Sequence, residues 1–576
     1  MQKVKQMSGW RYRSYRGVMY RALASLLLVT FLMGAGLAAA DDGATDPSVG
    51  AAEDGATTTP FVMPTTLEGQ VSALVDADFD VRAQIITAIA AGKDKRVLPL
   101  LTALLDGRLN STGDTPPRMV ILAADGGDDP DAADAFTGAA LGKSSTLTLN
   151  QVPIDNTLRG QLQDVIAQIQ LNDPDASVRL AAVKHLITAD PNPAQVPMLA
   201  QHLVQEKNSA VADALKTVLA LDDIASDDEA VRVHAISVLR GSLYPEIRAH
   251  LDDLATNDAS PAVRKAALEA RAHIDRKVAF NQFLQSVFFG LSLGSVLLLA
   301  AVGLAITFGV MGVINMAHGE LMMLGAYTTY VLQQVMPNHI GLALVLAVPA
   351  AFLVAGLAGV VIERGVIRFL YGRPQETLLA TFGISLVLQQ AVRTIFSPLN
   401  RAVASPDWMQ GSVEINPVLS LTYNRVFILL FALVIYVLLM LVLKRTTLGL
   451  KLRAVSQNRA MARAVGVRAD WVDALTFGLG SGIAGVAGVA LSQLTNVGPN
   501  LGQSYIIDSF MVVVFGGVGN LWGTLVGAMG LGVVNKFLEP YAGAVLAKIL
   551  VLVFIILFIQ KRPRGLFPQK GRAAEA

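Results

Sequence analysis

Hydrophobic and polar positions divide this chain into two unlike parts. From about residue 41 to 280 apolar residues recur among many charged ones, and beyond about 283 long apolar stretches dominate, with short polar loops between them. A helix that crosses a bilayer needs about 20 mostly apolar residues. The stretches at roughly 283–308, 320–336, 340–362, 378–397, 426–443, 471–493, 506–522, 523–538 and 543–560 approach that length and predict nine spans.

Lys and Arg concentrate in loops on the cytoplasmic side. Arg364, Arg368 and Arg373 mark one such loop, Lys444 to Arg468 a second, and the tail Lys561, Arg562, Arg564, Lys570, Arg572 a third. The Asn338–Gly341 and Asn496–Gly502 loops carry neither Lys nor Arg, as outside loops should. Pro398–Arg425 departs from the rule, since Arg401 and Arg425 would lie outside. A domain outside and a tail inside require an odd number of spans, which nine satisfies.

The N-terminus reads as an export signal over 1–40. Basic residues up to Arg21 precede the apolar run Ala22–Leu37, and Ala38 and Ala40 offer a small-residue cleavage site. Residues 41–67, rich in Ala, Gly, Thr, Asp and Pro, form a flexible leader. Residues 68–280 then carry a degenerate repeat: an acidic residue, Val-Arg, and an apolar helical pattern. It occurs at Asp78–Val81–Arg82, Asp175–Val178–Arg179, Asp228–Val231–Arg232 and Asp258–Val263–Arg264. An acidic N-cap followed by an Arg that can bridge to a neighbour resembles HEAT-type helical repeats. The predicted fold class is therefore all-α: an exported HEAT-like repeat domain, a polytopic helical bundle over 281–562, and a cytoplasmic tail at 563–576.

Charged residues make up only 16% of the 576, against about 25% in an ordinary soluble domain. A net charge of +1 argues against nucleic acid as a partner. The absence of cysteine excludes thiolate metal sites, disulfides and Cys nucleophiles. The acidic loop Asp125–Asp131 lacks the spacing of a calcium hand, and Gly138–Ser144 is one residue short of a phosphate loop. Nothing in the pattern marks a catalytic centre, a metal site or a bound cofactor.

Three features in the apolar half stand out. Asn315–Met316–Ala317–His318–Gly319–Glu320 places ionisable groups between two spans, where they line a pathway or sit at a surface. Gly516–Gly517–Val518–Gly519–Asn520 has the glycine density of closely packed or broken membrane helices, as do Gly478, Gly480, Gly482, Gly485 and Gly488. The basic loop Lys444–Arg468 alternates cations with small residues and suits a short helix lying against a partner protein.

With Gly312–Glu320, Arg453–Ala454–Val455–Ser456–Gln457–Asn458 through Ala464 and Gly466, and Gly516–Gly519, residues 283–570 resemble the permease subunits of ABC importers for branched-chain amino acids and related small polar solutes. An exported helical domain ahead of the membrane half, and Asp508–Phe515 leading into the glycines, look like the urea-importer branch. The resemblance implies a second permease subunit, cytoplasmic ATP-binding subunits that hydrolyse ATP, an exported solute-binding protein, and a multi-pass place in the bacterial inner membrane with the N-terminal domain periplasmic and the C-terminus cytoplasmic. It makes Arg453, Ser456, Gln457, Asn458, Arg459 and Gly466 the ATPase-coupling segment. It makes Asn315, His318, Glu320, Gly516, Gly517, Gly519 and Asn520 candidates for the pathway. The remaining expectations are a branched-chain amino acid permease, a passive channel or secondary transporter, and a membrane-anchored helical-repeat scaffold.

Overall fold

A computed structural model describes residues 63–92, 94–114, 117–124, 129–189 and 193–567. The export signal, most of the leader, Asp125–Asp128 of the acidic loop and the tail beyond 567 lie outside the described residues. The first helices are α1 (Leu67–Ala73), α2 (Phe79–Ala90) and α3 (Val97–Leu105). An antiparallel sheet follows, built from β1 (Leu109–Thr112), β2 (Met119–Leu122), β3 (Asp131–Asp134), β4 (Ala140–Lys143) and β5 (Leu149–Gln151) in the order β4-β3-β2-β1-β5. This corrects the all-α expectation. The strands are three or four residues long and mostly polar or small, too short to display an alternating pattern. Leu109, Met119, Val120 and Ala132 are the buried apolar residues that anchor it. Gly138–Ser144 becomes a turn and β4.

Helices α4 (Asn156–Gln170), α5 (Ala176–Thr188), α6 (Val196–Gln205), α7 (Ser209–Asp223), α8 (Glu229–Leu239) and α9 (Pro245–Asn257) then stack on one another. The repeated Arg does the same job in successive layers. Arg179 donates to the carbonyls of Asp173 and Pro174 and forks onto Glu206 at 2.8 and 2.9 Å. Arg232 donates to the carbonyls of Ser226 and Asp227 and pairs with Asp258. Arg264 closes onto the carbonyls of Asp258 and Ala259. Asp175 and Asp228 cap their helices. Asp78 makes no cap bond, and Ser260 rather than Asp258 caps the last helix.

Glu206 makes this arrangement sensitive to acid. The Arg179 fork and the backbone N–H groups of Lys207 and Asn208 hold its carboxyl at about 2, below the ordinary 4.5. A depressed carboxylate stabilises the fold fully above its unfolded value and loses that contribution as pH falls toward the folded one. Amide exchange protection in α5 and α7 is therefore expected to begin falling below about pH 4.5. In Glu206→Gln that pH dependence should largely disappear.

The expected boundary at 280/281 falls inside a single helix, α10 (Pro261–Met311), 51 residues and so about 76 Å long. Its first part buries Val263, Ala267, Ala270 and Ile274 in the helical layers; its second buries Val296 to Ile306 in the bundle. The bundle continues with α11 (His318–Val335), α12 (Ile340–Gly365) and α13 (Pro374–Phe396). A hairpin of β6 (Ser412–Asn416) and β7 (Leu419–Thr422) precedes α14 (Tyr423–Arg445). The hairpin reaches the helical layers, since Glu414 lies 3.7 Å from Lys184 and Asn416 donates to Asn281. Then come α15 (Thr447–Gln457), α16 (Arg459–Ala464), α17 (Ala469–Ser492), α18 (Leu501–Gly516) and α19 (Leu521–Lys561).

Among the described residues six helices, α10, α12, α13, α14, α17 and α19, are long and apolar enough to cross a membrane. Helix α19 kinks at Gly543, just after Pro540, and so supplies two of the expected spans. The break expected at 522/523 lies earlier, in the turn between Gly516 and Leu521. Helix α17 is the bundle's centre, and its glycines let α10, α11 and α12 pack close against it.

Candidate functional site

Helix α10 ends at Gly312, whose φ of 70° is the left-handed cap that glycine supplies most easily. The chain then turns back into the bundle. The His318 ring bonds the carbonyl of Ala300 through Nε2 at 2.9 Å, and Ala300 sits eleven residues before Met311. At 1.5 Å per residue, α11 therefore starts about 16 Å along the bundle from the end of α10. Gly319 lies against Gly502 so closely that a Cβ on either would strike the other's backbone. Helices α11 and α18 thus begin side by side, with His318, Gly319, Leu501 and Gly502 all buried. A Gly319→Val substitution is expected to destabilise the bundle by about 3 kcal/mol. Its yield as monodisperse protein in detergent should fall accordingly.

Asn315, His318 and Glu320 are all buried. Asn315 Oδ1 accepts from Ala317 N–H at 3.0 Å. Glu320 Oε1 accepts from Gln389 Nε2 at 2.7 Å and Ser385 Oγ at 3.1 Å. Thr381 Oγ1 accepts from Met316 N–H at 3.1 Å. Three atoms of the motif, Asn315 Nδ2, His318 Nδ1 and Glu320 Oε2, are buried without a hydrogen-bond partner among the described residues. Most buried polar atoms are paired, so three orphans within six residues single this place out. It offers one donor, Asn315 Nδ2, and two acceptors, Glu320 Oε2 and His318 Nδ1, the latter because Nε2 of the neutral ring donates to the Ala300 carbonyl.

Thr381, Ser385 and Gln389 were missed as site residues by sequence reasoning. With Thr377 they form a buried polar stripe at every fourth position of α13, a helix largely turned outward. That spacing was the available signal. One turn beyond Gln389, Arg393 donates to Asn500 Oδ1 at 2.7 Å.

The glycine motif goes elsewhere. Gly517 and Gly519 have positive φ and form a tight turn between α18 and α19, while Asn520 caps α19 through Trp522 and Gly523 N–H. The chain after α19 folds onto this turn. Leu566 and Phe567 N–H donate to Phe515 and Gly516 carbonyls, and Asn520 Nδ2 donates to the Phe567 carbonyl. Gly516 packs against Gly523. The structure therefore groups Gly519 and Asn520 with the basic loop, in a cleft of about 980 Å³ that Arg453, Ser456 and Gln457 also line. It does not bring them to Asn315, His318 and Glu320.

The basic loop folds into α15 and α16. Arg453 donates to the Leu443 carbonyl, which fixes α15 against the end of α14. Asn458 caps α16 through Met461 N–H. Arg459 turns inward, pairing with buried Asp473 of α17 and lying 4.0 Å over the Tyr371 ring centroid. Arg463 pairs with Asp470 at 2.8 Å. The outward face includes Leu450, Lys451, Arg453, Gln457, Asn458, Met461 and Val465, with Gly466 at positive φ ending the helix.

One further charge pair escaped the sequence reading, which put Asp508 near a span end. Helix α18 begins earlier than expected, so Asp508 falls in its middle and pairs with Lys548 of α19 at 3.1 Å. No group of acidic and histidine side chains suited to a metal ion occurs among the described residues.

A bundle of apolar helices around a glycine-rich centre, with a buried polar seam between the start of α11 and α13, has the architecture of a polytopic membrane protein. Residues 286–559 match the family described as the branched-chain amino acid transport system permease component. The high-affinity branched-chain amino acid transport system permease protein LivH of Escherichia coli K12 is 30% identical over 298 residues, 50% of this chain and 96% of that one. Its counterpart BraD of Pseudomonas aeruginosa is 29% identical over 293 residues, 49% of this chain and 95% of that one. The ribose import permease protein RbsC of Haemophilus influenzae is 23% identical over 256 residues, covering 42% and 74%. No solved structure matches the chain. The chain belongs to the permease components of branched-chain amino acid transport systems, and it is a transport component, not an enzyme. These matches cover about half of it.

Proposed function

We propose that this chain is the membrane subunit of an ATP-driven importer for urea. The observation that carries the reading is the seam at Asn315, His318, Glu320, Thr381, Ser385 and Gln389, with its buried, unpartnered donor and acceptor atoms. Urea is small and neutral, with a carbonyl for Asn315 Nδ2 and N–H groups for Glu320 Oε2. A site built to hydrogen-bond its solute rejects one that leaves those groups unpaired. A branched-chain amino acid is the second reading, favoured by the relatives' names.

In this reading a second permease subunit completes the pathway and cytoplasmic ATP-binding subunits dock on α15 and α16. Exposed Leu450, Met461 and Val465 on the basic loop suit such a contact, since solvent-exposed apolar clusters mark partner sites. ATP is hydrolysed on those subunits, and alternating access moves the bundle around the seam. The stacked helices with their bridging Arg residues form the HEAT-like domain on the periplasmic side, where they receive an exported solute-binding protein. The protein lies in the bacterial inner membrane with its C-terminus cytoplasmic.

Stimulation of ATP hydrolysis tests this reading. The reconstituted complex, with its binding protein present, should hydrolyse ATP faster with urea than with leucine. Stimulation by leucine alone would keep the importer and overturn the solute.

A further inference from the structure

The cleft beside the basic loop has a chemistry that solute passage does not account for. Its volume is about 980 Å³. One wall is apolar, from Ala305, Ile306 and Val310 of α10 and Met440 and Leu443 of α14. Its cations are Lys444 and Arg453, and its lining includes no Asp or Glu. Neither cation makes an ion pair among the described residues; Arg453 donates only to the Leu443 carbonyl, and Lys444 is exposed. Trp522, half exposed and edge-on to Tyr436, stands at the rim, and the Leu566–Phe567 segment closes the far side.

The cleft also lies where α10 and α14 end and the basic loop begins, which is the level of lipid headgroups if these helices span a bilayer. An apolar wall continuous with the span, two uncompensated cations above it and an indole at the boundary repeat the order of groups in an anionic phospholipid. Tryptophan side chains favour that level, and basic pockets between membrane helices hold anionic headgroups. A soluble anion would gain nothing from the Ile306, Val310 and Met440 wall. A neutral solute would gain nothing from the two cations.

We propose that this cleft is a binding site for an anionic phospholipid, its phosphate between Lys444 and Arg453 and one acyl chain along α10 and α14. Bound there, the lipid joins the end of α14 to α15 and steadies the segment that carries the basic loop. The site is independent of which solute is transported.

The test uses the full chain in mixed micelles with phosphatidylglycerol or phosphatidylcholine carrying brominated acyl chains, which quench nearby tryptophan. The chain has four tryptophans, and the share due to Trp522 is the difference from Trp522→Phe. The Trp522 share should be quenched at lower phosphatidylglycerol than phosphatidylcholine concentration. Lys444→Gln should weaken the phosphatidylglycerol response about fivefold, the worth of one cation near an anionic surface. Adding Arg453→Gln should bring the loss to about 25-fold, whereas Arg453→Lys should retain the response. Equal quenching by the two lipids, or quenching that survives intact in Trp522→Phe, would overturn the proposal. So would relief of quenching by millimolar inorganic phosphate alone, which would make the cleft an anion site with no place for the chain.

Discussion

Replacing Glu320 by Ala is expected to lower ATP-driven solute uptake roughly 10- to 150-fold, the range for losing one charge-assisted hydrogen bond of 1.5–3 kcal/mol to the solute. The substitution removes the acceptor whose Oε1 holds Ser385 and Gln389 and whose Oε2 is unpartnered. Glu320→Gln separates two roles. It keeps an acceptor oxygen for the solute but gives up the charge. If hydrogen bonding to a neutral solute is what matters, Glu320→Gln should retain most of the uptake that Glu320→Ala loses. Gln389→Ala should fall between them, because it frees Oε1 without removing the carboxylate. Vesicle uptake of labelled solute, normalised to the amount of assembled complex, reads all three. Equal uptake in every variant and the parent would remove the seam from the pathway.

The second large effect is expected at Arg459. Its partner Asp473 is buried, and removing one member of a buried ion pair costs about 3–5 kcal/mol because the other charge is left unpaired. Arg459→Ala should therefore loosen α16 from α17 and Tyr371, and with it the outward face of the loop. ATP hydrolysis by the complex should persist while uptake falls at least about tenfold, a factor worth 1.4 kcal/mol. The double variant Arg459→Ala with Asp473→Ala removes the stranded charge and should recover part of the uptake. Loss of uptake and hydrolysis together, with no recovery in the double variant, would mean that Arg459 itself meets the partner. The sequence expectation had Arg459 in the coupling segment; its pairing with Asp473 and its place over Tyr371 give it the further task of holding α16 in position.

How much could be read beforehand follows from what kind of signal each feature leaves. Apolar length is a strong signal, so each expected span falls on a helix, with α19 folding two of them into one kinked element. The break at Gly517–Asn520 was misplaced by a few residues because a run of glycines allows a turn at several points, and only the returning Leu566–Phe567 segment fixes which is used. The bridging Arg residues were legible since Asp-x-x-Val-Arg repeats in sequence, and Arg179 and Arg232 do reach Glu206 and Asp258 of a following layer. The small sheet was not, because its strands are held by backbone pairing that three or four residues are too few to advertise.

At the site, Asn315, His318 and Glu320 were found because charge between two apolar spans is costly and conspicuous. Their partners Thr381, Ser385 and Gln389 are uncharged and lie more than sixty residues away, so only the four-residue spacing could have named them. Gly519 and Asn520 shared no such spacing with Glu320. Their place beside Arg453 and Gln457 depends on how α10, α14 and α19 come together, which is a property of packing.

Uptake of labelled urea into vesicles that hold the assembled complex, with the binding protein outside and ATP inside, tests the central claim most directly. The account predicts accumulation that requires ATP, that unlabelled urea competes and leucine does not, and that Glu320→Ala lowers roughly 10- to 150-fold. Urea entry at the same rate without ATP, or ATP-dependent accumulation of leucine with urea left outside, would contradict it.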